Sequence, residues 1–160
     1  MSLEIERKYL VRSDGWRTGV AGTRYRQGYL STDPGRSVRV RVGAGKGFIT
    51  IKGLTVNMTR PEYEYPVPVN DANEMLDTLC LRPIIEKTRY AIDYAGLRWE
   101  VDEFEGENAG LIIAEVELAA ADQPIQLPDW IGKEVTDDPR YYNASLIASP
   151  FARWGNNPSG

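Results

Sequence analysis

The feature that most constrains this chain is a period-two alternation in which one parity is apolar and the other carries charges, mostly of one sign within each segment. Ile5 and Tyr9, then Val38, Val40 and Val42, Ile49 and Ile51, and Ile112, Val116 and Leu118 fall on the apolar side. The opposite parity holds Glu4 and Glu6 with Lys8, Arg39 and Arg41, Lys52, Glu62 and Glu64, Lys87 and Arg89, Glu100 and Asp102, and Glu115 and Glu117. Such alternation belongs to β-strands with two unlike faces, and it sets the members of each pair on one side of a strand, about 7 Å apart. It predicts strands over residues 3–11, 23–30, 37–42, 48–52, 61–67, 83–94, 97–104 and 110–118. Glycine-containing stretches at 43–47, 95–96 and 106–108 supply turns.

Two segments leave this pattern for helical spacing. Asp71 is placed to cap a helix whose apolar stripe is Ala72, Met75, Leu76 and Leu79, with Glu74 three residues after the cap. Asp138 before Pro139 predicts a second start, with Tyr142, Leu146 and Ile147 on the buried face. No linker or repeat interrupts the 160 residues, so one domain is expected over 1–155, with 156–160 as a flexible tail. The expected fold is mainly β (α+β): about eight short antiparallel strands, able to close into a barrel, with a few peripheral helices.

A merely solvated sheet face would mix signs and include Ser, Thr and Gln, because adjacent like charges repel. At an effective dielectric near 20, each like pair costs about 2 kcal/mol if partly buried, a cost that bound ions offset. Histidine is absent and Cys80 is the single cysteine, which removes the commonest general base and the usual zinc ligands. Cys80 lies in an apolar helical pattern and reads as a small core residue of a reduced, cytoplasmic protein. Clustered carboxylates without His or Cys suit Mg²⁺ or Mn²⁺, while clustered Arg and Lys suit phosphate oxygens. Residues 43–47 lack the Gly-Lys-Ser/Thr ending of a P-loop. The net charge of −4 gives no global attraction to nucleic acid or an anionic membrane, and no apolar run approaches the ~18 residues of a span. Arg24 and Arg26 have the opposite parity to the inward set, and Arg140 reads as a first-turn surface residue.

The segment Glu4-Ile5-Glu6-Arg7-Lys8 resembles the Glu-x-Glu-x-Lys signature of CYTH domains, the triphosphate tunnel metalloenzymes. Further matches follow in order: Gln27-Gly28-Tyr29-Leu30, Arg39-Val40-Arg41, Thr50-Ile51-Lys52, Glu62-Tyr63-Glu64, Lys87-Thr88-Arg89, Glu100-Val101-Asp102 and Glu115-Val116-Glu117. Residues 133–141, with Asn143, resemble the C-terminal signature of the short bacterial members. The resemblance implies an eight-stranded antiparallel tunnel that hydrolyses a small-molecule triphosphate, inorganic tripolyphosphate above all, to phosphate and pyrophosphate. It implies Glu4, Glu6 and Glu117 as ligands of Mg²⁺ or Mn²⁺, with Glu115 beside them, and Lys8 near the reacting end. Arg39, Arg41, Lys52, Lys87 and Arg89 would bind phosphate oxygens. Tyr29 takes the family's second-strand position, where a buried structural role is the alternative. Glu62, Glu64, Glu100 and Asp102 complete the inward ladder as supporting carboxylates. Closure of the barrel would bring Glu4, Glu6 and Glu117 to one metal. The rival readings are a class IV adenylyl cyclase or a nucleoside or thiamine triphosphatase on the same scaffold, and a non-catalytic polyphosphate-binding module. No nucleic-acid or membrane partner is expected; a homodimer is one way to cover the apolar outer faces.

Overall fold

The computed structural model describes residues 2–154. Its strands are β1 (Ser2–Val11), β2 (Thr23–Ser31), β3 (Arg36–Gly43), β4 (Lys46–Gly53), β5 (Thr59–Val67), β6 (Ile85–Tyr94), β7 (Leu97–Phe104), β8 (Ile112–Glu117) and β9 (Ile131–Glu134). The helices are α1 (Val69–Thr78) and the single turn α2 (Ser145–Ala148). The sheet runs β5-β4-β3-β2-β6-β7-β8-β1-β9, and a further β1–β5 pairing closes the first eight strands into an antiparallel barrel. The predicted tail, 156–160, lies outside the described residues.

β1 is long enough to change partner along one edge. Ser2 to Ile5 pair with β5, then Tyr9 and Val11 pair with β9, while the other edge runs against β8 from Glu6 to Leu10. The β3–β4 hairpin turns through Ala44 and Gly45, both at positive φ, the two-residue geometry whose twist matches its flanking strands.

Three apolar clusters fix the barrel. Tyr9, Trp16, Trp99, Val116, Trp130 and Ile131 pack outside the β1–β7–β8 wall, so loop residues and β9 cover that face. α1 covers β3 and β4, with Ala72 and Leu76 against Val40 and Cys80. Gly47 permits this approach, because a Cβ there would stand 2.8 Å from that of Ala72. Leu3, Tyr63 and Tyr65 remain exposed on the β1–β5 side.

The third cluster sits at one end of the barrel. On five strands the inward parity ends in an apolar residue: Leu10 on β1, Tyr29 on β2, Ile85 on β6, Phe104 on β7 and Ile113 on β8. Tyr141, Leu146 and Ile147 of the C-terminal segment pack onto them and form a floor.

The helices depart from the sequence-based expectation. Asp71 lies in the first turn of α1 rather than at its cap, because the helix starts earlier, after Pro68. Leu79 is 65% exposed: α1 ends at Thr78, and Cys80 takes the core position instead. Asp138 accepts from the Arg140 backbone N–H, but only a 3₁₀ turn, Pro139–Tyr141, follows before α2. Tyr141, not Tyr142, is the tyrosine buried there.

Candidate active site

Above the floor, most inward positions are polar or charged, Phe48 and Ala91 being apolar members of that parity, and the charges sort by half-barrel. Four adjacent strands, β7-β8-β1-β5, carry Glu100, Glu115, Glu117, Glu6, Glu4, Glu62 and Glu64. The other four, β4-β3-β2-β6, carry Lys52, Arg39, Arg41, Lys87 and Arg89. Two of the exceptions, Lys8 and Asp102, sit where they neutralise a neighbour, whereas Arg60 of β5 donates to the Gly53 carbonyl. Lys8 lies in the acidic arc, 2.7 Å from Glu115 and 3.5 Å from Glu6. Asp102 faces the basic arc, its Oδ2 accepting from Lys87 at 2.8 Å and its two oxygens from Arg89 Nε and Nη2 at 2.7 and 2.9 Å.

The arcs meet at two seams. At β4–β5, Lys52 Nζ donates to both oxygens of Glu4 at 2.9 Å and stands 3.4 Å from Glu62. At β6–β7, Arg89 grips Asp102 and lies 3.4 Å from Glu100. In the basic arc, Thr50 accepts from Arg39 at 3.1 Å and donates to Glu64 at 2.7 Å.

Away from the seams each arc holds unbalanced charge. Burial, with Glu115 and Glu4 nearby, pushes the Glu6 carboxyl up to about 7. Glu62 and Glu117 are raised as well, by burial and by Glu4. Glu4 itself is lowered, because Lys52 outweighs the upward push of burial. In the basic arc, burial and the neighbouring Arg39 and Arg89 bring Arg41 down to about 9, still charged at neutral pH. Burial, followed by Arg89 and Arg41, brings Lys87 down to about 7 despite Asp102. Lys8 moves the other way: burial would lower it, but Glu115 and Glu6 hold it well above the usual lysine range.

The strand register sets Glu6 opposite Glu117 and Lys8 opposite Glu115, with Glu4 next along the same face. The β1–β8 pairing thus brings the backbones of the three expected metal ligands together. Two of the side chains are engaged with cations, Glu4 with Lys52 and Glu6 with Lys8, and among the described residues no three acidic groups already surround one metal position. Tyr29 lies in the floor. Arg24 and Arg26 lie outside, paired with Glu86 and with Asp77 of α1. Arg140 pairs with Asp138.

Four inward residues escaped the sequence reading. Tyr25 lies beneath two cations, its ring centroid 5.1 Å from the Arg41 guanidinium and 5.7 Å from that of Arg89. The ring spreads across Gly43, where a Cβ would fall 2.2 Å from it, so the cross-strand Tyr–Gly pairing was the available signal. Arg60 shares the parity of Glu62, stands opposite Glu4, and donates to the Gly53 carbonyl at 3.0 Å. It precedes Pro61, where the alternation predicts the fifth strand to begin, whereas β5 starts at Thr59. Gln27 and Asn143 were noticed only as motif letters. Both join the basic arc: Gln27 accepts from Arg41 at 3.0 Å, and Asn143 accepts from Lys87 at 2.9 Å.

The family model for the CYTH domain matches residues 2–146. An inorganic triphosphatase of Acetivibrio thermocellus is 50% identical over 151 residues, covering 94% of this chain and 97% of that protein. An inorganic triphosphatase of Nitrosomonas europaea is 39% identical over 153 residues, covering 91% and 97%. A crystal structure of an inorganic triphosphatase superimposes with a TM-score of 0.65 at 35% identity, covering 91% of this chain and 98% of that one. The chain belongs to the CYTH domain family.

Proposed function

We propose that this CYTH-domain protein hydrolyses inorganic tripolyphosphate to phosphate and pyrophosphate, using Mg²⁺ or Mn²⁺. The observation that carries the reading is the two-sided charge imbalance of one cavity. Burial and neighbouring like charges hold Arg41 and Lys87 of the basic arc below their ordinary values and Glu6 of the acidic arc above its own. A metal–triphosphate complex supplies an anion to the one arc and a cation to the other at once. The names of the relatives support the same substrate.

The donor set fits a hard divalent ion, since Glu6, Glu117 and Glu4 offer oxygen alone, without His or Cys. Such an ion, when bound, would neutralise phosphate charge and lower the pKa of an associated water. The chain's own groups do the rest. Arg39, Arg41, Arg89, Lys52 and Lys87 bind phosphate oxygens and spread the charge that develops in the transition state. Lys8, held between Glu115 and Glu6, places a further ammonium among the carboxylates. A carboxylate of the acidic arc takes the proton of the attacking water. The floor closes one end, so substrate enters and products leave by the opposite mouth.

Residues 1–155 form one functional domain in this reading, and Cys80 suits a reducing, cytoplasmic setting. Among the described residues no helix is long and apolar enough to cross a membrane. The test is a panel of tripolyphosphate, ATP, GTP and thiamine triphosphate with Mg²⁺, Mn²⁺ or chelator, following phosphate, pyrophosphate and cyclic nucleotide. Tripolyphosphate should turn over fastest, and only with a divalent ion. Cyclic nucleotide from ATP would replace this reading by the cyclase one. Binding without turnover of any substrate would leave a polyphosphate-binding module.

A further inference from the structure

Asn143 belongs to none of the strands. It follows the turn Pro139–Tyr141 and precedes α2, on the segment that packs against the floor. Its Oδ1 nevertheless accepts two hydrogen bonds from inward-facing residues, from Gln27 Nε2 at 2.8 Å and from Lys87 Nζ at 2.9 Å. Gln27 is fully buried, and its Oε1 accepts from Arg41 Nε at 3.0 Å. Lys87 also donates to Asp102, which Arg89 holds through two bonds. The result is one hydrogen-bonded chain, Arg41–Gln27–Asn143–Lys87–Asp102–Arg89, with Asn143 as the link between its two halves.

The chain directs donors. An ammonium has three N–H groups, and Asp102 and Asn143 take two of those on Lys87, which fixes the direction of the third. Arg41 spends Nε on Gln27, which orients its guanidinium plane. An amide oxygen suits this position, because it accepts from Lys87 without cancelling the charge a phosphate needs. Anchoring of the segment does not require it: Tyr141, Leu146 and Ile147 already pack against Tyr29, Ile85 and Phe104.

We propose that Asn143 is a positioning residue for phosphate binding, aligning Lys87 directly and Arg41 through Gln27 from a segment outside the barrel wall. The proposal rests on the triphosphatase reading for its ligand. Burial brings Lys87 down to about 7, and the charged groups that act on it are Asp102 of β7 and Glu115 of β8, which raise it, and Arg89 of β6 and Arg41 of β3, which lower it.

The experiment compares wild type with Asn143→Ala, Asn143→Asp and Leu146→Ala. Tripolyphosphate affinity is measured by calorimetry on metal-free protein, alongside KM, kcat and melting. Asn143→Ala should weaken affinity about tenfold or more and raise KM similarly, with a smaller change in kcat. Leu146→Ala should lower the melting temperature yet leave affinity within twofold. Asn143→Asp keeps the acceptor and adds a negative charge beside Lys87, so the alkaline limb of tripolyphosphate binding should move upward by about one pH unit or more. Affinity of Asn143→Ala within twofold of wild type would overturn the proposal, as would equal losses in Asn143→Ala and Leu146→Ala. If neither of those folds, an Asn143→Asp pH profile that coincides with wild type overturns it. A wild type that binds tripolyphosphate without turnover would overturn the function and not this inference, which the affinity ratios decide.

Discussion

Replacing Asp102 by asparagine removes one charge at the most heavily bonded carboxylate of the tunnel and nothing of its shape. Asp102 is 1% exposed and accepts from Lys87 and, twice, from Arg89. Burial alone would raise its carboxyl, but Lys87 and Arg89 bring it down from 3.8 to about 2. That displacement is worth about 2 kcal/mol to the folded state. The substitution costs more than this, because Arg89 keeps its charge and loses its counterion, while Lys87, already brought down to about 7 with Asp102 beside it, is driven towards its neutral form; breaking a buried pair from one side typically costs about 3–5 kcal/mol. For a chain of this size the melting temperature should fall by roughly 6–20 °C. The sign with pH follows from the depressed carboxyl. Its stabilisation is present above about 4 and lost as pH falls through about 2, so wild type and variant should converge in acid. Tripolyphosphate without metal should rescue the variant by a larger thermal shift than it gives wild type, since it replaces the missing anion. Scanning calorimetry at pH 7 and at pH 2–3, with and without tripolyphosphate, measures all three. A variant that melts within 2 °C of wild type at pH 7 would refute the view that Asp102 balances the basic arc.

Glu117→Gln should reduce tripolyphosphate turnover by a factor on the order of 10². Because burial, Glu4 and Glu100 already raise its carboxyl, neutralising it should raise the melting temperature at neutral pH; a lower melting point would contradict the acidic-arc account. Tyr25→Ala removes two cation–π contacts at about 0.5–1 kcal/mol each, so KM should rise roughly 5–30-fold with Arg41 and Arg89 still present, and an unchanged KM would show the ring to be filler. Pyrophosphate and Mn²⁺ together should stabilise the protein by more than the sum of their separate thermal shifts, at matched free concentrations. Merely additive shifts would mean that the two arcs do not share one ligand.

The strands were legible because parity is local. Eight of the nine were predicted to within a few residues, and the inward charges could be chosen by counting in twos. β9 was not legible: it is four residues long, follows an irregular proline-containing stretch, and owes its existence to the edge that β1 leaves free beyond β5. The helix limits failed for a related reason. Asp71 looked like a cap by composition, but Pro68 had already opened α1, and whether Leu79 or Cys80 entered the core depended on where the helix stopped. The sorting of charge into half-barrels was hidden too, because it depends on the spatial order β5-β4-β3-β2-β6-β7-β8-β1 and not on chain order. In the chain, Arg39 and Lys52 alternate with Glu62, Lys87 with Glu100; only closure gathers each sign to one side.

The floor explains how such a barrel tolerates its own interior. Like charges along one strand push the strands apart, and the seam pairs Lys52–Glu4 and Arg89–Asp102 relieve only the edges of each arc. What holds the remaining charges in place is apolar burial below and outside them. Ile85, Phe104 and Ile113 continue the very faces that carry Lys87, Asp102 and Glu115. Trp99 and Val116 are buried on the outer side of β7 and β8, and Val40 on that of β3 behind Arg39 and Arg41. Each buried aliphatic or aromatic side chain contributes about 1.5–3 kcal/mol, against about 2 kcal/mol lost per partly buried like pair. A handful of such residues therefore outweighs the repulsion without cancelling it. In the proposed function the uncancelled part is the useful one: it would be recovered when an anion meets the basic arc and a cation the acidic arc. A chain that neutralised every pair internally would be more stable and would have less to gain from its ligand.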